Sequence, residues 1–378
     1  MVRPTVARVD LNAVQGNFRA IADHLEREAG PAAPGIVAVV KANAYGHGAA
    51  QVGRALEAAG ADLLACADIE EGAVLRTAGI AADILVFGAL SVSDLDGVFD
   101  CHLTPTISTP GAARAVQKAA ARYRRNVRYH LKIDTGMNRL GFRHDNLRQT
   151  LPELIASENL EMEAAFTHFA TADNPDSPLF AEQRLRFERA LEQIRDLGGR
   201  PRYRHASNSA ALLRDARVWY DRVRPGLLLY GIVPPPLATT IPLTPAMTLH
   251  SRVVAVKGVR SGEGVGYGAT FVAEKPTTLA IVPAGYADGL DMRLGGRGAV
   301  LIRGRRAAVV GTVSMDMLMV DVTGVDAAPG DEVTILGEQA RPSGGVERID
   351  AREMAAVIGT IPWEIVCRVG ARIERVYT

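Results

Sequence analysis

Apolar positions along the chain follow two alternating periods. Short unbroken runs such as Ile36-Val37-Ala38-Val39-Val40 have the look of strands buried on both faces, as in a parallel sheet. Other stretches repeat an apolar residue every three or four positions. Leu11, Val14, Phe18, Ile21 and Leu25 do so, with Asp10 placed to cap a helix over 11–28. Strand-like runs end at Val40, Ala67, Gly88, Ser108, Asp134, Ala170, Ser209 and Gly231. Helical patterns lie between them at 49–59, 69–78, 94–100, 110–125, 145–158, 179–197 and 209–215. Eight strand units alternating with helices predict a closed (β/α)8 TIM-type barrel rather than an open sheet.

The alternation stops at Gly231. A proline-rich stretch, IVPPPLATTIPLTPAMTL, reads as a linker. After it the runs are strand-like with Gly and Pro turns (SRVVAVKGV, TTLAIVPAG, GAVLIRG, RAAVVGTVSMDMLMVDV, DEVTILG, RIERVY), interrupted by one short helix over 350–357. The expected organisation is therefore an α/β barrel over 12–235 followed by a mainly β domain over 236–378. A first strand over 2–9 is available to join the second domain, so residues 1–11 could belong to it.

Composition narrows the classes. The chain has 378 residues, 48% hydrophobic and 22% charged, with a net charge of +1, which gives no footprint for nucleic acid or a membrane surface. No apolar run follows the start as in a signal peptide, and none is long enough to span a bilayer. Cys66, Cys101 and Cys367 are few and far apart, as in a reducing cytoplasm, and no His/Asp/Glu spacing indicates a metal. Basic residues are mostly arginine; the lysines are Lys41, Lys118, Lys132, Lys257 and Lys275. Lys41 and Lys132 both end apolar strands. Lys41 is either a lysine that snorkels from a strand end or one that forms a Schiff base in a poorly solvated pocket.

In a barrel of this kind the active site lies at the C-terminal strand ends. Polar residues gather there: Lys41 and Tyr45 at strand one; Lys132 and Asp134, leading to Asn138 and Arg139, at strand five; Thr167-His168 at strand six; His205 with Asn208-Ser209 at strand seven; Arg224-Pro225-Gly226 within strand eight. The loops after strands seven and eight supply Ser209, opening a helix, and the backbone of Gly226 and Leu227, groups suited to a phosphate. A lysine on strand one facing a phosphate pocket points to pyridoxal phosphate. No GxGxxG follows a strand, so no dinucleotide is indicated.

AVVKANAYGHG, KIDTGMNRLGF, FTHFATAD, HASNSA, VRPGLLLYG, VGYGATF, GYADG and VSMDMLMVD, in this order and across both domains, resemble the alanine racemase family of fold-type III pyridoxal-phosphate enzymes. The resemblance implies that Lys41 holds the cofactor and is the base serving D-alanine, with Tyr267 the base serving L-alanine from the opposite face. Two bases are needed because a proton removed from one face of a planar carbanion must be returned on the other. It implies that Arg224 faces the pyridine nitrogen, with His168 and His205 beside the ring and His168 linking Arg224 to Tyr267. Tyr45, Asn208, Ser209, Gly226 and Leu227 would hold the cofactor, and Arg139 and the Met315 N–H the substrate carboxylate. Lys132 would be a carbamylated support for Arg139. Asp316, Tyr286 and Asp173 are supporting or entrance candidates. Tyr267 and Met315 lie in the β domain, so the resemblance also implies a head-to-tail homodimer that completes each site with the partner's β domain. The product would supply peptidoglycan.

The pattern departs from the family at Trp363, where a tyrosine commonly touches the cofactor phosphate; an indole N–H can donate but not accept. Thr312 stands where some relatives have arginine, and Met292-Arg293 leaves the next entrance position open. Trp363 motivates the alternative of a serine or broader-specificity racemase. A non-catalytic cofactor carrier, a lone barrel, is opposed by Tyr267 and SMDM. An amino-acid decarboxylase is opposed by YGATF, HASNS and RPGLLLYG.

Overall fold

The computed structural model describes residues 4–90 and 95–378. Residues 2 and 3 of the expected first strand, and Asp94 at the start of an expected helix, lie outside the described residues. The chain forms two compact units. One comprises Val14–Ala44 and Ala49–Thr244, the other Met1–Ala13, Tyr45–Gly48 and Pro245–Thr378.

The first unit is the closed parallel barrel. Its strands, in chain order and in order around the barrel, are Gly35–Val39, Leu63–Cys66, Asp83–Val86, Thr104–Ile107, Val127–Asp134, Leu160–Phe166, Tyr203–Asn208 and Arg222–Arg224; the last pairs with the first. Ile36, Val37, Ala38, Leu63, Leu64, Ala65 and Cys66 are all buried, which is why these strands read as continuous apolar runs. The eighth strand is shorter than its apolar run. Pro225 offers no N–H to a ladder, and the chain turns at Arg224 into a 3-10 helix, Leu227–Tyr230, whose side chains pack in the core. Strand six likewise ends at Phe166 rather than Ala170. The helix expected over 145–158 is two short ones, Leu147–Thr150 and Pro152–Ile155, because Pro152 breaks the ladder. A two-pronged Arg222–Asp62 ion pair (2.8 and 2.7 Å) joins strand eight to the start of strand two.

The second unit is a mostly antiparallel sheet in the order Ala255–Val259, Thr277–Val282, Leu318–Asp321, Arg305–Val310, Ala299–Ile302, Glu332–Ala340, Met247–Arg252, Val6–Val9, Glu374–Tyr377. Val6–Val9 pairs antiparallel with Met247–Arg252 and parallel with Glu374–Tyr377. RAAVVGTVSMDMLMVDV is two strands around a turn, not one. The expected short helix is Ala351–Ile358, capped by Asp350. A second helix, Pro362–Cys367, has no counterpart among the sequence expectations.

Candidate functional site

At the end of barrel strand one the backbone does something unusual. Ala42, Asn43, Ala44 and Tyr45 all have φ between 52° and 54°, a left-handed turn that costs roughly 1–2 kcal/mol for each ordinary L-residue. Strain of this kind persists only when its surroundings over-determine it. Here Glu71 accepts from the Ala42 and Ala67 amides (2.7 and 2.8 Å), and Asn43 Oδ1 accepts from the Ala49 amide (2.8 Å). These bonds fix the loop that starts at Lys41. Glu71 was not among the sequence candidates, since one glutamate among others on a helix carries no signal.

Strand five ends in an anchored loop. Asp134 Oδ1 accepts the amides of Gly136, Met137 and Asn138 at 2.9–3.1 Å, which positions Arg139 just beyond. Lys132, Asp134, Met137, Arg139, Leu140, Thr167 and His168 line a small cavity there. Lys132 Nζ lies 4.4 Å from the centre of the Phe166 ring. Burial first, then Arg224 and Arg139, push its ammonium well below the usual lysine range; Asp134 opposes them.

Arg224 is buried at the end of strand eight. Its Nη2 donates to the carbonyls of Thr167 and Ala206 (2.8 and 2.9 Å) and more distantly to His168 Nδ1 (3.3 Å); its Nη1 donates to His205 Nδ1 (2.9 Å). Burial pushes the guanidinium down to about 9, so it remains charged near neutrality. His168 is held well below the usual histidine range by burial and then by Lys132, Arg224, Arg139 and Lys41. His205 lies in the barrel interior beside Arg224. It is fully buried, stacked on Phe166 at 4.6 Å, and faces Arg224 and His130.

The loops after strands seven and eight meet through Ser209 and Gly226. Asn208 caps the helix Ser209–Arg214 by accepting from the Ala211 amide. Ser209 Oγ accepts the amides of Gly226 (3.0 Å) and Leu228 (3.4 Å). Tyr230 Oη donates to the Val39 carbonyl, tying the turn to strand one. Asp173 is exposed on the loop after strand six; Arg214 holds that loop through the carbonyls of Thr171, Ala172, Asn174 and Pro175.

In the second unit, Tyr267 is 76% exposed on a short turn, Tyr267–Ala269. Gly266 before it has φ +72°, and a Cβ there would sit 2.7 Å from Met319 Cε. Thr312 Oγ1 donates to the Tyr267 carbonyl. Met315 is on a tight turn closed by Ser314 and Met317, and its carbonyl accepts from Ala287. Tyr286 and Asp316 border the same turn; Arg372 pairs with Asp288 (2.7 Å) and Asp316 (2.9 Å). Tyr45 is buried, its phenol pushed up by burial and then by Cys367. Trp363 is half-buried on Pro362–Cys367, a helix that the 45–48 segment approaches closely: a Cβ on Gly46, where φ is +81°, would lie 2.2 Å from the Val366 carbonyl oxygen.

Among the described residues there is no group of three or more His, Cys, Asp or Glu placed to hold a metal, and no helix is long and apolar enough to cross a membrane.

Comparison with known proteins gives a consistent answer along the whole chain. The alanine racemase N-terminal domain family matches residues 9–234 and the C-terminal domain family residues 246–377. The alanine racemases of Carboxydothermus hydrogenoformans and Symbiobacterium thermophilum are each 42% identical, covering 100% of this chain and 100% and 97% of theirs. Among solved structures, alanine racemase from the D-cycloserine producer Streptomyces lavendulae superposes with a TM-score of 0.93 at 36% identity, covering 100% of this chain and 98% of that one. The Bacillus anthracis enzyme with bound L-Ala-P gives 0.90 at 34%, covering 100% and 96%.

Proposed function

The chain belongs to the alanine racemase family and interconverts L-alanine and D-alanine, and from that premise we propose that it works with pyridoxal phosphate at the barrel strand ends, between Lys41 and Tyr267 as opposed bases. The observation that carries the proposal is a surplus of positive charge. Lys41, Arg139 and Arg224 all act electrostatically on His168, while the nearby carboxylate, Asp134, spends one oxygen on three backbone amides. An anionic cofactor carrying a phosphate and a phenolate fits that donor set.

When bound, the cofactor supplies an electron sink for the charge left on the α-carbon. This chain's residues do the rest. Lys41 Nζ takes or returns the proton on one face and Tyr267 Oη on the other. Arg224, charged and able only to donate, would face the pyridine nitrogen and keep it without a proton, which would limit delocalisation and side reactions. Asn208, Ser209 and the Gly226–Leu227 backbone would hold the phosphate, and Tyr45 and Trp363 remain cofactor-binding candidates. Arg139 and the Met315 N–H orient the substrate carboxylate. His168 accepts at Nδ1, so its Nε2 carries the proton and is free to donate toward Tyr267. Carbamylation of Lys132 would replace a neutral amine between two arginines with an anion that supports Arg139.

Lys41 and Tyr267 belong to different units, and the proposal joins them across two chains in a head-to-tail homodimer. The β unit supports this by exposing Tyr267, Met292, Met315, Met317 and Tyr286, large side chains that a partner would cover. Asp173 and Asp316 remain supporting candidates. The site of action is the cytoplasm, where the product serves peptidoglycan.

The test is L-alanine with purified protein and pyridoxal phosphate in D2O, following α-deuteration by NMR and inversion by chiral analysis. Borohydride reduction and peptide mapping would locate the cofactor. Exchange with inversion and a label on Lys41 are expected. Exchange without inversion would remove Tyr267 as a base, and faster turnover of serine would favour the broader-specificity reading.

A further inference from the structure

A column of polar side chains runs through the barrel interior beneath Arg224. Arg224 Nη1 lies 2.9 Å from His205 Nδ1, His205 Nε2 3.0 Å from His130 Nδ1, and His130 Nε2 3.3 Å from Glu163 Oε2. Glu163 Oε1 accepts from Arg128 Nη1 at 2.8 Å, and Arg128 reaches Asp83 at 3.3 Å. Arg224 ends strand eight and Asp83 begins strand three, so the column spans the barrel from its C-terminal to its N-terminal rim. His130 and His205 are fully buried and Glu163 is 8% exposed. Such residues are expensive to keep in a core unless each is paired. An apolar layer would fill the same space, so the column asks for a reason.

We propose that His130 and Glu163 are positioning residues that fix the proton arrangement of His205 and so hold Arg224 in its orientation at the cofactor site. The two ends of the column decide the direction of every bond in it. Arg224 can only donate and the Glu163 carboxylate can only accept. Burial pushes both imidazoles below the usual histidine range, with Arg222, Arg224 and Lys132 adding to it and Glu163 opposing at His130, so each ring is neutral and carries one proton. Two neutral imidazoles between a pure donor and a pure acceptor have one consistent arrangement: both carry the proton on Nε2. His205 Nδ1 is then a lone pair aimed at Arg224. The opposite tautomer would set an N–H against the guanidinium N–H in a place water cannot reach.

The inference about Arg224 rests on the cofactor reading above, but the proton arrangement can be read without cofactor. 15N-histidine NMR on the cofactor-free protein between about pH 6 and 8 should show protonated Nε2 and bare Nδ1 for both rings. Glu163→Gln keeps the shape but lets the amide present either a donor or an acceptor. Its two histidine signal sets should become mixed or reversed. In the loaded enzyme kcat should fall about tenfold with KM for alanine little changed, the scale seen when the support of a directly acting group is removed. A protonated Nδ1 on His205 in the unaltered protein overturns the proposal whatever the variant does, including if it fails to fold. Glu163→Gln with unchanged histidine signals, or with altered signals and unchanged kcat, overturns it too. Failure of the cofactor to bind at Lys41 would instead leave the NMR result intact and sink the cofactor reading.

Discussion

Ser209 Oγ accepts the Gly226 amide at 3.0 Å, so one hydroxyl ties the helix start after strand seven to the turn after strand eight. Those are the loops that the proposed phosphate would occupy. Replacing Ser209 with alanine leaves the amides of Gly226 and Leu228 without this acceptor and takes away a hydroxyl donor. Hydrogen bonds to a charged group contribute about 1.5–3 kcal/mol, so the affinity for pyridoxal phosphate should fall at least about tenfold. Cofactor titration followed by absorbance checks this. kcat at saturating cofactor should hold, because Ser209 touches no reacting atom; a collapse of kcat with unchanged affinity would contradict the assignment.

Lys132 packs over Phe166 with Arg224 and Arg139 as its electrostatic neighbours. A protonated amine is disfavoured there, and a neutral amine is the form that takes up CO2. Protein equilibrated with 13C-bicarbonate should show one slowly exchanging carbamate carbon, absent from Lys132→Arg. Absence of that signal in the unaltered protein would mean the amine stays unmodified. Lys132→Ala should raise KM for alanine through Arg139, and a small carboxylate added to the assay should restore part of the loss.

Much of this was open to reading in the sequence, and the failures have identifiable causes. Barrel strands were legible because burial on both faces leaves an unbroken apolar run, as in Ile36–Val40. The same rule misread Leu227–Tyr230, an equally apolar run that is a 3-10 helix, because hydrophobicity reports burial and not backbone; Pro225 was the signal that counted. Lys41, Arg224 and Ser209 stood out as polar residues at strand ends. His130 and Glu163 did not, since a single histidine or glutamate within a strand reads as an ordinary outward-facing residue. Only the register between Val127–Asp134 and its neighbours reveals that His130 faces His205. His130 does share a strand face with Lys132, two residues on, which was a usable clue. The left-handed turn after Lys41 was invisible, because Ala42 and Ala44 carry no preference for it.

The buried histidines set an acid limit on stability. His130 and His205 are pushed below their ordinary range, so below about pH 6.5 the unfolded chain binds protons that the folded protein refuses. Stability therefore rises with pH up to about 6.5 and is lost as pH falls below it, until the lowered folded-state values are reached. Each histidine contributes a slope of about 1.4 kcal/mol per pH unit in that window. Urea unfolding between about pH 5 and 8 measures it. His205→Gln should be less stable at neutral pH yet show a shallower acid slope; an unchanged slope would place the acid sensitivity elsewhere.

Lys41 and Tyr267 offer a direct test of whether each site is shared between chains. Lys41→Ala and Tyr267→Phe homodimers should each fail to racemise, the second retaining exchange on one face. If each site takes its barrel from one chain and its β domain from the other, a mixed dimer has one site with both bases and one with neither. Random assortment makes half of the dimers mixed, so a co-refolded mixture should recover roughly a quarter of the sites. Separately tagged subunits, purified for both tags, should approach half the activity of the unaltered enzyme. If both bases instead came from one chain, every site would lack one of them and no mixture could recover. The size of the recovery separates the two arrangements without any knowledge of the interface.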